Sequence, residues 1–293
     1  MGRRRSGGAD VHGIVILDKP AGWTSHDVVA KSRGVLGTPR VGHSGTLDPD
    51  ATGVLVLGVG RATRLLRFLQ GLPKSYSCEV VLGVETSTLD AAGEVTASHD
   101  MSAVTPAAVE AAAATLRGDI LQVPPMVSAI KIGGRRLHEM ARAGEEIERP
   151  PRPVRIDRFD LEPTDDPMVY RAIVDCSSGT YVRSLAADLG AALGGGAHLR
   201  ALRRHSVGPF IEAEASTIET PVLLPAEEAF RGVDGVTLDA ELERAVRVGS
   251  VLADERLGVT GDGPWPVFDG TGRILAVYER RGPGRVKPAV VLV

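Results

Sequence analysis

GHSGTLDPDATG, residues 42–53, sets three glycines around a histidine, several hydroxyls and two aspartates, and runs straight into the apolar stretch VLVLGV, residues 54–59. The apolar stretch reads as a buried strand. The glycines allow positive φ and the close approach of a ligand. Pro49 pushes Asp48 toward an extended conformation and stiffens it. A carboxylate held on a loop at the lip of a buried strand has the geometry of a site. An Asx-turn in a surface loop is the other reading of Asp-Pro, and the twelve residues alone leave both Asp48 and Asp50 in play.

The rest of the composition narrows the class. A chain of 293 residues with 43% hydrophobic content fits one large domain and one small one around ample cores. Cys78 and Cys176 are far apart, with no Cys-x-x-Cys and no Cys/His cluster at metal spacing, which points to a reduced, cytoplasmic protein without a metal. No apolar run approaches the roughly 20 residues of a membrane span. The start, MGRRRS, reads as a disordered basic arm over residues 1–10, not as a lipid or secretion signal. Net charge is −3 but uneven: Glu212–Glu255 carries eleven acidic against three basic residues, between mildly basic flanks. That distribution is compatible with a polyanion touching both ends.

Working outward, residues 14–17 predict a strand, DKPAG a turn, and Thr24 or Ser25 the cap of a helix reaching about Val35. RATRLLRFLQG reads as one helix stopped by Gly71. KSYSCEVVL alternates, so Tyr76, Cys78, Val80 and Leu82 share one strand face. Residues 105–118 predict a capped helix with Pro106 in its first turn. From Asp119 to Pro153 the pattern loosens into a Pro-, Gly- and Arg-rich insert with a short helical piece at 137–142, and loops of that length are usually functional or disordered. Two strands follow, then the helix TYVRSLAADLGAALG announced by Ser177, Ser178 and Gly179. The tail from Thr237 holds one helix and several short strands, a small β-rich module.

GHSGTLDPDATGVLVLGVG resembles the signature of the TruB family of tRNA pseudouridine synthases, Gly-His-Thr-Gly-Thr-Leu-Asp-Pro-Leu-Ala-Thr-Gly-Val-Leu, with Ser44 for Thr and Asp50 for Leu. DKPAGWTSHDVV from Asp18, SSGTYVRSLAADLG from Ser177, PPMVSAIKIGGRRLHEMAR and HLRALRRHSVGPF are similar to the family's further motifs, in order. The resemblance spans most of residues 12–225. It implies an α+β pseudouridine synthase fold around a mixed, mostly antiparallel sheet with flanking helices, plus a small C-terminal β-rich PUA-like module. It implies isomerisation of uridine 55 in the tRNA T stem-loop with the base flipped out, and no cofactor. By resemblance Asp48, not Asp50, is the catalytic aspartate. It either attacks C1′ or removes the 2′ proton, and both require the ionised form.

The resemblance also assigns the companions. Arg183 pairs with the aspartate, Tyr76 stacks on the base and takes part in proton transfer, and Tyr181 lines the pocket beside the arginine. His43 moves into the space left by the flipped nucleotide, Leu202 forms an apolar wall, and Lys19 with Pro20 supports the catalytic loop. The chain has no Asn and only Gln70 and Gln122, so base reading by amides is nearly closed to it. Recognition of shape and phosphates needs neither. Lys131, Arg135, Arg136, His138 and Arg142 of the insert, and Arg280, Arg281, Arg285 and Lys287 of the tail, are the cations placed to grip RNA. The expected layout is an arm over 1–10, a catalytic domain over 11–236 with a thumb at 119–153, and the RNA-binding module over 237–293. The expected partner is tRNA alone, met by a monomer with no obligate protein partner and no membrane. A related synthase of guide-RNA particles and a tRNA-folding chaperone are the competing readings.

Overall fold

The computed structural model describes residues 11–128, 131–132, 135–136, 140 and 147–292, the two short pairs by their backbone. The basic arm of residues 1–10, His138 and Arg142 lie outside the described residues. The chain divides into two compact units. One takes the residues up to Pro49, Val54–Gln70 and those from Pro209 on; the other takes Asp50–Gly53 and Gly71–Gly208.

In the first unit, β1 (Gly13–Lys19) is buried along nearly its whole length. The turn after it leads into α1 (Ser25–Val35), whose cap is Thr24: the Thr24 hydroxyl accepts from Asp27 N and the Asp27 carboxylate accepts from Thr24 N. Ser25 is buried, and its hydroxyl is used elsewhere. β2 (Val41–His43) pairs antiparallel with β3 (Thr52–Val59), His43 opposite Leu57, so the opening stretch is a loop closed by two paired strands. β1 lies along β3, and Val15, Leu17, Val28, Val41, Leu55 and Leu57 fill the core beneath.

The expected helix after β3 is a 3₁₀ turn, Gly60–Leu65, running into a short α2 (Leu66–Gln70). The 3₁₀ pitch eclipses positions i and i+3. Arg61 and Arg64 therefore fall in line, Arg61 donating to the Leu292 carbonyl at 2.9 Å and Arg64 to that of Val291.

In the second unit, β4 (Lys74–Leu82) alternates as read, burying Tyr76, Cys78, Val80 and Leu82 together with Lys74. β5 (Val84–Thr86) and β6 (Val95–Ser98) form a hairpin, and α3 (Pro106–Thr115) is capped by Thr105. The Pro-, Gly- and Arg-rich insert begins and ends in the sheet. β7 (Gly118–Gln122) pairs with β10 (Arg152–Pro163), Gln122 opposite Arg152. A five-residue edge strand leaves too little apolar signal to be seen in sequence. Between them β8 (Lys131–Ile132) and β9 (Arg135–Arg136) pair antiparallel. The predicted helical piece at 137–142 lies outside the described residues apart from Met140, which is helical and buried.

β11 (Val169–Cys176), α4 (Val182–Ala192) and β12 (Ala197–Val207) complete the unit. Its sheet runs β12–β4–β11–β10–β7, each neighbour antiparallel. Thr52 and Gly53 of β3 pair parallel to Arg203 and Arg204 of β12, so the sheet is mixed and mostly antiparallel. α4 packs on β12 and α3 on β10. β12 escapes a period-two reading because two bulges break it, between Arg200 and Arg203 and between Arg204 and Ser206.

The chain returns to the first unit with β13 (Phe210–Ile211) and then builds a five-stranded sheet. Its members are β14 (Val236–Thr237), β15 (Leu252–Ala253), β16 (Trp265–Phe268), β17 (Ile274–Arg280) and β18 (Arg285–Val291), with α5 (Ala240–Arg247) and a short α6 (Asp254–Leu257). Leu238, Val246, Trp265, Val267, Tyr278 and Val286 form its separate core. Among the described residues no helix is long and apolar enough to cross a membrane.

Candidate active site

Asp48 is half-buried, and the residues on either side of it are fixed. On one side the Ser25 hydroxyl donates to the Leu47 carbonyl at 3.1 Å and accepts from Leu47 N at 2.9 Å. On the other, the Pro49 carbonyl accepts from Lys19 Nζ at 2.8 Å and from Gly22 N at 2.9 Å. Lys19 is fully buried and also donates to the carbonyls of Pro20 at 2.9 Å and Trp23 at 2.6 Å. Three acceptors match the three N–H bonds of an ammonium, which is what allows a charge to sit there. Lys19 thus ties the aspartate loop to the turn after β1. Asp50, two residues on, is exposed.

Two of the glycines, Gly42 and Gly53, meet protein at close range. Gly53 does take positive φ, +100°, but to meet protein: a Cβ there would lie 2.2 Å from the Arg204 carbonyl oxygen. Gly42 lies in β2, where a Cβ would touch Leu66 at 3.1 Å. The ring of His43 meets that of His26 edge to face, centroids 5.4 Å apart.

The second unit holds the other residues. Arg183 stands in the first turn of α4 and is 4% exposed. A cation at a helix N-terminus opposes the macrodipole, so the position needs compensation. Its guanidinium donates from Nη1 to the Thr88 carbonyl at 3.0 Å and from Nη2 to that of Val127 at 2.9 Å, and Nη1 lies 3.5 Å from the Asp90 carboxylate. Asp90 is itself held by the Thr88 hydroxyl and by Ala92 N.

Helix α4 is not capped by Ser177, Ser178 or Gly179. Its N-cap is Tyr181, whose side chain makes no capping bond. Ser177 instead accepts from Arg155 N. The backbone of Tyr181 is bound by Gln122, which no sequence motif marks, and whose Oε1 accepts from Tyr181 N at 2.8 Å while its Nε2 donates to Tyr181 O at 3.1 Å.

Tyr76 is buried on β4, opposite Val174 of β11 and Arg204 of β12. Leu202 is half-buried in the first bulge of β12, beside Ala201, which takes φ +53°. Two residues before Tyr76 on the same face, burial and the nearby Arg204 guanidinium push Lys74 down to about 8. Burial is the main cause that raises Cys78 to about 12 and Cys176 to about 11.

The RNA-gripping candidates fare unequally. For Lys131, Arg135 and Arg136 the backbone pairing of β8 and β9 is described, not the side chains. Arg280 is engaged inside its module, bound to Asp254 at 2.6 Å with its guanidinium 5.1 Å from the Trp265 ring centroid. Lys287 lies 3.1 Å from Glu279, whereas Arg281 and Arg285 are exposed at the β17–β18 hairpin. Among the described residues no group of three or more His, Cys, Asp or Glu could hold a metal ion.

Residues 33–182 match the model of the TruB family pseudouridylate synthase N-terminal domain, and residues 183–224 that of the tRNA pseudouridylate synthase B C-terminal domain. The chain belongs to the TruB family. Relatives named tRNA pseudouridine synthase B include one from Streptomyces coelicolor, 48% identical over 292 residues and aligned across 95% of this chain and 96% of that protein. Another, from Mycobacterium tuberculosis, is 45% identical over 285 residues, covering 96% and 95%. A solved Cbf5–Nop10–Gar1 complex contains a chain that matches 96% of this one and 85% of itself, with a TM-score of 0.73 at 25% identity. Membership in the TruB family makes this protein a pseudouridine synthase, an isomerase. The first matched stretch holds Asp48, Tyr76, Asp90, Gln122 and Tyr181, and the second opens on Arg183.

Proposed function

We propose that this synthase converts uridine to pseudouridine at position 55 in the T stem-loop of tRNA, with Asp48 as its catalytic carboxylate. The observation that carries the reading is the 48% identity to a tRNA pseudouridine synthase B across nearly the whole chain. The clamp around Asp48 supports the residue assignment, because a group that must meet C1′ or the 2′ proton of a flipped nucleotide needs fixed placement.

In the proposed reaction the N1–C1′ bond breaks, the uracil turns, C5 bonds to C1′, and the C5 proton is lost while N1 gains one. No electrons are exchanged with another molecule, and no cofactor enters. Asp48 acts at the ribose and Arg183 holds it ionised. Tyr76 stacks on the base, at about 1–3 kcal/mol for such a contact. Tyr181 and Leu202 line the pocket, and His43 fills the place of the extruded nucleotide. The insert over 119–153 is the proposed thumb and residues 237–293 a PUA-like second grip. The separate core and sheet of that module support its independence, and its exposed Arg281 and Arg285 suit phosphate contacts. The protein acts as a monomer in the cytoplasm.

The test is to incubate the purified chain alone with an unmodified tRNA transcript and map pseudouridine along it. Modification at position 55 without any added RNA or protein supports the reading. Modification elsewhere, or only when a guide RNA is supplied, overturns it.

A further inference from the structure

We propose that Gln122 is a positioning residue for catalysis, its carboxamide setting the first turn of α4 and through it the directions of Tyr181 and Arg183. The inference rests on the tRNA pseudouridine reading above. Gln122 is the last residue of β7 and is 2% exposed. Its amide is matched head to tail with one backbone unit, accepting from Tyr181 N at 2.8 Å and donating to Tyr181 O at 3.1 Å. That arrangement imitates a strand pairing, and it holds a residue that provides no side-chain cap to its own helix.

The contact does not stand alone. Ser184 Oγ donates to the Val123 carbonyl at 2.9 Å, and Arg183 Nη2 donates to that of Val127 at 2.9 Å. Tyr181, Arg183 and Ser184 are thus all tied to the stretch 122–127, which follows β7 within the proposed thumb. Arg183 needs such a frame more than most residues do. Its charge opposes the helix dipole, and a guanidinium orients its donors only as well as its backbone is held. Losing the Gln122 bonds lets the Tyr181 peptide rotate, which displaces the arginine.

The experiment compares wild type with Gln122→Met, which keeps the length and removes both bonds, and Gln122→Ala, which removes length and bonds together. Single-turnover pseudouridine formation, tRNA affinity and melting temperature are read for each. The expected result is a rate lower by about 10- to 100-fold in both variants, with affinity within about threefold of wild type. Gln122→Met at the wild-type rate overturns the inference, because packing alone would then account for the residue. A loss of affinity with the single-turnover rate at saturating enzyme unchanged overturns it too, since that is uniform binding.

Should both variants fail to fold, amide exchange on the wild-type protein without RNA decides. The inference requires the Tyr181 N–H to be protected like the interior of α4, and rapid exchange there overturns it. Failure of the functional reading looks different: wild type would form no pseudouridine in tRNA while the Tyr181 amide stayed protected.

Discussion

Replacing Lys19 by methionine tests how the aspartate loop is held. The ammonium makes three bonds to carbonyls, with Pro20, Trp23 and Pro49 at 2.9, 2.6 and 2.8 Å. Hydrogen bonds to a charged group contribute about 1.5–3 kcal/mol each, opposed by several kcal/mol, in order of magnitude, for taking the charge out of water. In Lys19→Met the Pro49 carbonyl keeps Gly22 N, and Pro20 is exposed so its carbonyl reaches water. The Trp23 carbonyl loses the Lys19 donor, at a cost of about 1–3 kcal/mol if nothing replaces it. The net expectation is a destabilisation of about 2–4 kcal/mol, read by urea unfolding followed through tryptophan fluorescence. The Pro49 carbonyl then keeps its bond from Gly22 N and loses the one from Lys19, so single-turnover rate falls by roughly 10- to 100-fold at temperatures where the variant is folded. A variant as stable as wild type would show that the ammonium adds nothing beyond its apolar stem. A destabilised variant with the wild-type rate would show that Asp48 does not depend on this anchor.

Three further outcomes follow from the same structure. Gly53→Ala forces a Cβ to 2.2 Å from the Arg204 carbonyl oxygen at φ +100°, so urea unfolding should show a loss of about 2–4 kcal/mol; a neutral result refutes the close approach of β3 to β12. Lys74 is depressed from 10.5 to about 8, chiefly by burial, so between those values the unfolded chain binds more protons than the folded one. Wild type must therefore gain stability relative to Lys74→Met as pH rises from about 8 toward 10.5, and a difference that stays flat contradicts the burial. Finally, with Cys78 near 12 and Cys176 near 11, neither thiol of the native protein should react with a thiol reagent at pH 8, and both should react in denaturant. Rapid labelling of the folded chain would contradict their placement.

What was legible in the sequence is what local chemistry decides. Thr24 caps α1 because its hydroxyl and Asp27 are three residues apart, and β4 shows itself by strict alternation. Ser25 looked like an equal candidate for the cap; its true partner, Leu47, is 22 residues away. β12 was invisible because two bulges erase its period, and β7 because an edge strand of five residues carries little apolar signal. In the candidate site, Asp48 and Arg183 were readable from motif resemblance. Asp90 and Gln122 were not, since they act on Arg183 and on Tyr181, 59 residues beyond Gln122, and nothing in the intervening sequence marks the meeting. The glycine-rich opening was read as room for a ligand; at Gly53 the room is taken by the backbone of Arg204.

The most direct test of the central assignment is tritium release from tRNA labelled at uridine C5, comparing wild type, Asp48→Asn and Asp50→Asn. The account predicts release by wild type and Asp50→Asn, and none by Asp48→Asn although it still binds tRNA. Turnover by Asp48→Asn, or its loss in Asp50→Asn alone, would contradict it.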